Sequence, residues 1–338
     1  MISFIVPVYN AETTIERCVQ SILCQQCPSK EIILVNDGSK DGTLEILRAL
    51  EAQHSEITVI DKPNGGAASA RNAGLALCRG EYVTFMDSDD YYLTDHYASN
   101  MVKLLEANET ADLVVSGFTL LTPEQQKTYC VHKHTEDIVN VADRYWQYCR
   151  KDVTNSSCNK LFRKNLIREP FPEQMTMGED AVFVLRYLQN CRQVIFDDNC
   201  GYGYVYELKS STADYRKNVP YDISQTRIHH DAIHSLWERF LTEDLIALRY
   251  IQMKTDEVYY MMRSLLFKKG LAAYLKWNIA DVITDARFQR YYGFASNQLD
   301  REPHKALTKS VAAASAMRVK LCCLFYVAVG IIRARLSK

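Results

Sequence analysis

Short runs rich in Ile and Val alternate with segments of helical period along the first 120 residues. Residues 2–8 (ISFIVPV), 31–37 (EIILVND), 57–61 (ITVID) and 82–87 (YVTFMD) read as four strands, bounded by turn-forming residues. Between the first two, Ile15, Cys18, Val19, Ile22 and Leu23 recur at helical spacing over 13–23, and Leu44, Ile46, Leu47 and Leu50 do the same over 41–53. Asp41 stands where an N-cap belongs, with Glu45 in the acidic first turn. Strands alternating with helices predict an α/β body with a mostly parallel central sheet.

A helix over 94–106 and a strand over 112–118 extend the pattern, which then breaks into polar residues and turns at 122–136. Two helices are expected within 140–200. From residue 221 onward nearly everything reads as helix, with Trp237, Phe240, Leu241, Leu245 and Leu248 as one apolar stripe. The expected layout is a body over 1–215, divided near residue 120 into halves 1–120 and 121–215, followed by a helical C-terminal region over 216–338.

Composition narrows the function. The chain has 338 residues, 47% hydrophobic and 24% charged, with a net charge of -1; it lacks the positive excess of a general nucleic-acid binder, so nucleic acid is not an expected partner. Charge is nevertheless uneven: beyond Glu302 there is no acidic residue, but there are Lys305, Lys309, Arg318, Lys320, Arg333, Arg335 and Lys338. Within this tail, residues 321–332 are almost wholly apolar, shorter than the roughly 20 residues a spanning helix needs. That pattern suits a basic amphipathic helix over 309–338 lying on an anionic membrane surface. Eleven scattered cysteines and a start that runs straight into a strand without a signal-peptide head predict a cytoplasmic protein, held at the inner face of the membrane. The single C-x-x-C, Cys24 to Cys27, has no second pair to complete a zinc site and reads as the end of a helix.

In an open parallel sheet, ligands gather where the carboxyl ends of strands meet helix N-termini. Here those ends read Pro7-Val8-Tyr9-Asn10, then Asn36-Asp37-Gly38-Ser39-Lys40-Asp41-Gly42, then Asp87-Ser88-Asp89-Asp90. No G-x-G-x-x-G follows the first strand and no G-x-x-x-x-G-K-[ST] occurs, so neither glycine-rich phosphate cradle is available. Asp87 and Asp89, two apart on an extended segment, would point the same way toward one hard cation, leaving coordination positions for diphosphate oxygens. Small residues in Asn64 to Gly74 (NGGAASARNAG) allow close backbone approach, and Arg71 offers a planar cation suited to phosphate.

Together these segments resemble the nucleotide-sugar-binding half of the family 2 glycosyltransferases, which have the GT-A fold and include bacterial enzymes of surface-polysaccharide assembly. The resemblance rests on four blocks in order over residues 2–90: P-V-Y-N, V-N-D-G-S-x-D-G-T, N-G-G-x-x-x-A-R-N-x-G and G-E-Y-V-x-F-x-D-S-D-D. It implies that Pro7 and Tyr9 border the nucleotide base, that Asp37 hydrogen-bonds it and that Arg71 lies near base or phosphates. It further implies that Asp87 and Asp89 flank ribose and metal, with Asp89 the direct ligand of Mn2+ or Mg2+. The family also places a catalytic carboxylate in an E-D pair at a helix start, which resembles Glu179-Asp180 here, preceded by Asn159-Lys160-Leu161-Phe162-Arg163. Asp180 is then the expected base and Glu179 its support; a helix N-terminus is expected to keep the base ionised. Tyr202, Tyr204, Tyr206 and Ser211 resemble a segment near the donor phosphates, or else form an aromatic edge strand. His230 and His234, one helical turn apart, read as solvated helix histidines rather than metal ligands.

The expected function is therefore an inverting, metal-dependent transferase moving a sugar from a nucleoside diphosphate, UDP in the first instance, to a hydroxyl of a glycan or lipid-linked acceptor. The competing expectation is a non-catalytic nucleotide-sugar-binding or scaffold protein of a membrane-associated glycan assembly.

Overall fold

The runs at 2–8, 31–37 and 82–87 lie inside one sheet because both of their faces are covered, whereas the run at 57–61 forms an edge strand with exposed positions. In the computed structural model, which describes residues 1–150, 154–206, 223–276 and 286–295 together with Lys309 and Val319, every residue of β1 (Ile2–Val8) is buried. Strand β1 pairs in parallel with β2 (Lys30–Asp37) and β4 (Tyr82–Phe85), and β2 with β3 (Ile57–Lys62). The crossovers are α1 (Ile15–Leu23), α2 (Thr43–Gln53) and α3 (Gly66–Leu77). Beyond β4 the sheet is mixed: β9 (Lys160–Arg163) runs antiparallel to both β4 and β6 (Ala111–Leu121), which restores the original direction in β6 and its parallel partner β10 (Gln193–Val205). Among the described residues the order is β3-β2-β1-β4-β9-β6-β10-β5, with the two-residue β5 (Tyr91–Tyr92) at the edge, and with β7 (Gln126–Tyr129) on β6 and β8 (His134–Asp137) on β10. The carboxyl ends of β1, β2, β4 and β6 thus share one rim of the sheet.

Helix α3 reaches that rim by lying flat on the sheet. A Cβ at Gly74 would stand 2.4 Å from Ile5 Cγ2, so only glycine allows this approach. Gly74→Ala is expected to destabilise the first unit by about 1–3 kcal/mol through overpacking, read as a lower denaturant midpoint; an unchanged midpoint would contradict the seating of α3 on β1.

A phenylalanine cluster ties the second half of the body to the first. Phe85 at the end of β4 meets Phe162, Phe171 and Phe183 edge-on at 5.1–5.8 Å, and Phe171 stacks on Phe183 at 3.9 Å. Phe183 belongs to α6 (Glu179–Leu188), whose first residues carry the E-D pair, so the cluster sets that helix start against the end of β4.

Helix α4 (Tyr97–Ala107) precedes β6, and α5 (Ile138–Arg150) follows β8. Helix α7 (Ile223–Phe240) packs on α5 and α6, and the buried Trp237 donates its Nε1–H to the Ala142 carbonyl at 2.8 Å. The first compact unit accordingly runs Met1–Phe240, and the second is Leu241–Lys338. The boundary expected near residue 215 lies among residues 207–222, outside the described residues. The single apolar stripe expected through Leu248 does not exist: the helix ends at Phe240, and Leu245, in the next helix, is 38% exposed. In the second unit α8 (Glu243–Lys276) packs on α9 (Ala286–Ala295) through Tyr250 and Tyr291, with an Arg290–Glu243 ion pair at 2.8 Å. Among the described residues no helix is long and apolar enough to cross a membrane; the tail over 309–338, apart from Lys309 and Val319, lies outside them.

Candidate active site

The first two strand ends are laced together by short polar contacts. Tyr9, just past β1, is 46% exposed, whereas Pro7 is buried within the strand. Asn10 takes a left-handed conformation (φ 49°), accepts the Lys40 N–H through its side chain at 2.8 Å and donates its own N–H to Ser39 Oγ at 3.0 Å. Asp37, at the end of β2, is buried and shapes the loop into α3. Its carboxylate accepts from Lys62 Nζ at 2.6 Å and from the N–H groups of Gly65 and Gly66 at 2.9 and 2.7 Å. The loop is closed by Asn64 Nδ2, which donates to the Asp37 carbonyl at 2.8 Å.

Arg71 is the centre of the site. Projecting from α3 and 4% exposed, it donates through Nη2 to Asp87 Oδ1 at 2.8 Å, while Nη1 meets Glu179 Oε1 at 3.1 Å and Asp180 Oδ1 at 2.9 Å. The guanidinium also faces the Phe171 ring at 5.4 Å. Burial alone would lower its pKa, but Asp180, Asp87 and Glu179 outweigh it and hold the group well above its ordinary value. One buried cation therefore joins the strand end that carries D-x-D to the helix that carries E-D.

The D-x-D lies in a turn. Strand β4 stops at Phe85, and the Asp87 carbonyl accepts the Asp90 N–H at 3.1 Å, so the expected extended segment with Asp87 and Asp89 on one face is replaced by a turn. Arg17 donates to the Asp89 carbonyl at 2.8 Å and stacks over Tyr91 at 4.5 Å, fixing the turn from α1. Asp90 is wholly buried; Tyr202 donates its hydroxyl to one carboxylate oxygen and Val205 its N–H to the other at 2.8 Å. Burial and the neighbouring Asp87 and Asp89 push the Asp90 carboxyl well up. Among the described residues no three His, Cys, Asp or Glu side chains form a cation cage. A cation at this turn would therefore need most of its ligands from elsewhere, and carboxylate oxygens such as those of Asp87 and Asp89 are of the hard type that suits Mn2+ or Mg2+.

Asp180 sits in the first turn of α6, after Gly178, whose φ of 81° favours glycine at the N-cap. Its side chain is 16% exposed. The Ser157 N–H donates to its Oδ2 at 3.3 Å. Burial raises the carboxyl; Arg71 and the Ser157 N–H draw it back, Glu179 and Asp87 add to the rise, and the result is about 6. The helix terminus was expected to hold the base readily ionised; burial overrides that pull and leaves it poised near neutrality.

Other expectations fare differently. Tyr202 lies on β10 between β6 and the short β5 and engages Asp90, while Tyr204 packs edge-on against Phe118 at 6.3 Å. Tyr206 continues the strand by donating its N–H to the Leu121 carbonyl at 2.8 Å, and Ser211 lies outside the described residues. His230 and His234 are buried, not solvated, because α7 turns that face toward the rest of its unit; His234 pairs with Glu238 at 3.4 Å. Cys24 caps the C-terminus of α1, as expected. Lys62, Arg17, Asp90 and Lys160 were not among the sequence candidates. Lys62 and Arg17 lie outside the quoted blocks; Asp90 lies inside the last block and Lys160 inside the 159–163 segment, without any sign of whom they face.

A sequence profile of glycosyl transferase family 2 matches residues 3–171. The chain belongs to this family. Among curated relatives, the uncharacterized glycosyltransferase EpsJ of Bacillus subtilis is 32% identical over 210 residues, 57% of this chain and 58% of that one. Glycosyltransferase GlyG of Streptococcus pneumoniae is 30% identical over 67% of this chain and 76% of its own length. The poly(ribitol-phosphate) beta-glucosyltransferase of Bacillus spizizenii is 29% identical over 60% of this chain, but over 32% of itself. The chain thus spans 58% of EpsJ and 32% of the poly(ribitol-phosphate) beta-glucosyltransferase, less than two thirds of either. Among solved structures, S. aureus TarS 1–349 in complex with UDP-GlcNAc superposes with a TM-score of 0.64 at 19% identity, covering 96% of this chain and 91% of that one. The fold of this family 2 chain is thus GT-A, followed by a helical C-terminal region. Glu179 and Asp180 follow the span that the family profile matches.

Proposed function

We propose that this chain is an inverting glycosyltransferase that moves a sugar from a UDP-sugar to a hydroxyl of a glycan or lipid-linked acceptor in surface-polysaccharide synthesis. The observation that carries this reading is the Arg71 junction, in which one buried guanidinium touches Asp87 on the donor side and Glu179 and Asp180 on the acceptor side. Membership of the family and its transferase relatives supports it.

In this reading Tyr9 and Pro7 frame the nucleotide base, Asp37 accepts a hydrogen bond from it, and Asp87 lies beside the ribose. Arg71 lies at the edge of the diphosphate. When bound at Asp89, Mn2+ or Mg2+ supplies neutralisation of the charge that builds on the leaving UDP. Asp180 accepts the proton of the acceptor hydroxyl as that oxygen forms its bond to the anomeric carbon. The bond from that carbon to the diphosphate oxygen breaks, its electron pair leaves with UDP, and the configuration inverts. Glu179 supports the base by sharing Arg71 Nη1 with it, at 3.1 Å against 2.9 Å for Asp180. The basic and apolar segment over 309–338 would hold the enzyme at the inner face of the membrane, beside a lipid-linked acceptor.

The test is release of UDP from UDP-glucose, UDP-galactose and UDP-N-acetylglucosamine by the full chain with Mn2+, with and without a glycan acceptor. Acceptor-stimulated release that a chelator abolishes is expected. Binding of UDP without release or transfer on any acceptor would favour a scaffold role instead.

A further inference from the structure

Lys160 is a fully buried lysine on β9, in a core where a leucine or methionine would fill the same space without the cost of desolvating an ammonium. Its Nζ donates to the Ser156 carbonyl and, at 2.7 Å, to Asn159 Oδ1, two acceptors of the turn that leads into the strand. That turn is itself pinned to β6, because Asn159 Nδ2 donates to the Ser116 carbonyl at 2.6 Å and the Ser116 N–H donates to the Asn159 carbonyl at 2.9 Å. Between Ser156 and Asn159 stands Ser157, whose N–H meets Asp180 Oδ2 at 3.3 Å. The Cys158 N–H is turned back onto Ser156 Oγ at 3.0 Å, which leaves the Ser157 N–H as the donor of this turn that faces the base.

We propose that Lys160 is a positioning residue for the base: its ammonium clamps the 156–159 turn so that the Ser157 N–H holds the Asp180 carboxylate in its attacking orientation. This rests on the reading of Asp180 as the base. Three features of the geometry support it. The clamp is made by the side chain of a charged group, which is costly to bury and is kept only where its donors are used. Its acceptors lie on either side of the residue that contacts Asp180. The contact between Ser157 and Asp180 is long at 3.3 Å, so small displacements of the turn decide whether it is made. Burial draws the Lys160 ammonium down to about 7, while Cys158 and Asp180 oppose that fall.

The experiment compares Lys160→Met, Lys160→Gln and Asn159→Ala with wild type and Asp180→Asn in the full chain, measuring kcat, the KM for UDP-sugar and the calorimetric affinity for UDP. Lys160→Met is expected to lower kcat about tenfold or more, with donor KM and UDP affinity within about twofold of wild type. Lys160→Gln keeps N–H donors for Ser156 and Asn159 and is expected to regain most of the lost kcat. Asn159→Ala, which removes one acceptor and the side-chain tether to Ser116 but leaves the backbone one, should show the same split, and it carries the test if Lys160→Met does not fold. Wild-type kcat in Lys160→Met, or kcat and UDP affinity falling together, would overturn the positioning role. Full transfer by Asp180→Asn would instead remove the reading on which it rests.

Discussion

Replacing Asp180 by Asn is expected to lower the rate of sugar transfer about 100- to 10,000-fold, the usual span for loss of a positioned general base, while UDP affinity stays within about twofold. Asparagine retains the shape and an oxygen for the Ser157 N–H, but cannot accept the acceptor's proton. The sign of the pH dependence follows from the raised value of about 6. The ionised carboxylate is the active form, so kcat of the wild type should rise with pH through about 6 and level off above it. Steady-state rates at saturating donor, across the pH range on both sides of 6, check the expectation. Transfer by Asp180→Asn within a few-fold of wild type would show that the proton goes elsewhere.

Arg71→Met is expected to combine two losses. With the guanidinium gone, Asp87, Glu179 and Asp180 converge on a buried site with no cation between them. Breaking one side of such a buried ionic cluster costs about 3–5 kcal/mol. At about 2–4 °C per kcal/mol, thermal melting should show a clear drop. Because Arg71 draws the Asp180 carboxyl down, its removal should also shift the acidic limb of kcat to higher pH. Arg71→Lys should recover part of the stability but little transfer, since a single ammonium cannot present the two nitrogens that reach Asp87 and the E-D pair at once. A melting temperature equal to that of wild type in Arg71→Met would contradict the view that this residue is the electrostatic hinge between the two halves.

The sequence was most informative where chemistry and backbone geometry coincide. Hydrophobic runs located β1, β2 and β4 because those strands are covered on both faces, and β3 by its alternation at the sheet edge, while the four blocks made Asp37, Arg71, Asp87 and Asp89 legible as candidates. Long-range partnerships were not legible. Nothing in the spacing of Arg71 and Asp180, 109 positions apart, shows that they meet at 2.9 Å; that contact depends on the phenylalanine cluster that presses α6 against β4. Likewise, D-S-D-D reads as an extended run until the Asp87–Asp90 turn hydrogen bond is seen, and then Asp90 proves to be an anchor for Tyr202 and Val205. The burial that sets the pKa of Asp180, and the packing that hides His230 and His234, are tertiary effects that a local pattern does not encode.

The most direct test of the account is a calorimetric titration of UDP into wild type and Asp89→Asn, each with Mn2+ and with a chelator. Wild type is expected to bind UDP far more tightly with Mn2+ than without, and Asp89→Asn, folded and equally stable, to lose that gain. Equal affinity in all four titrations would contradict it, because the turn after β4 would then have no part in holding the donor's diphosphate.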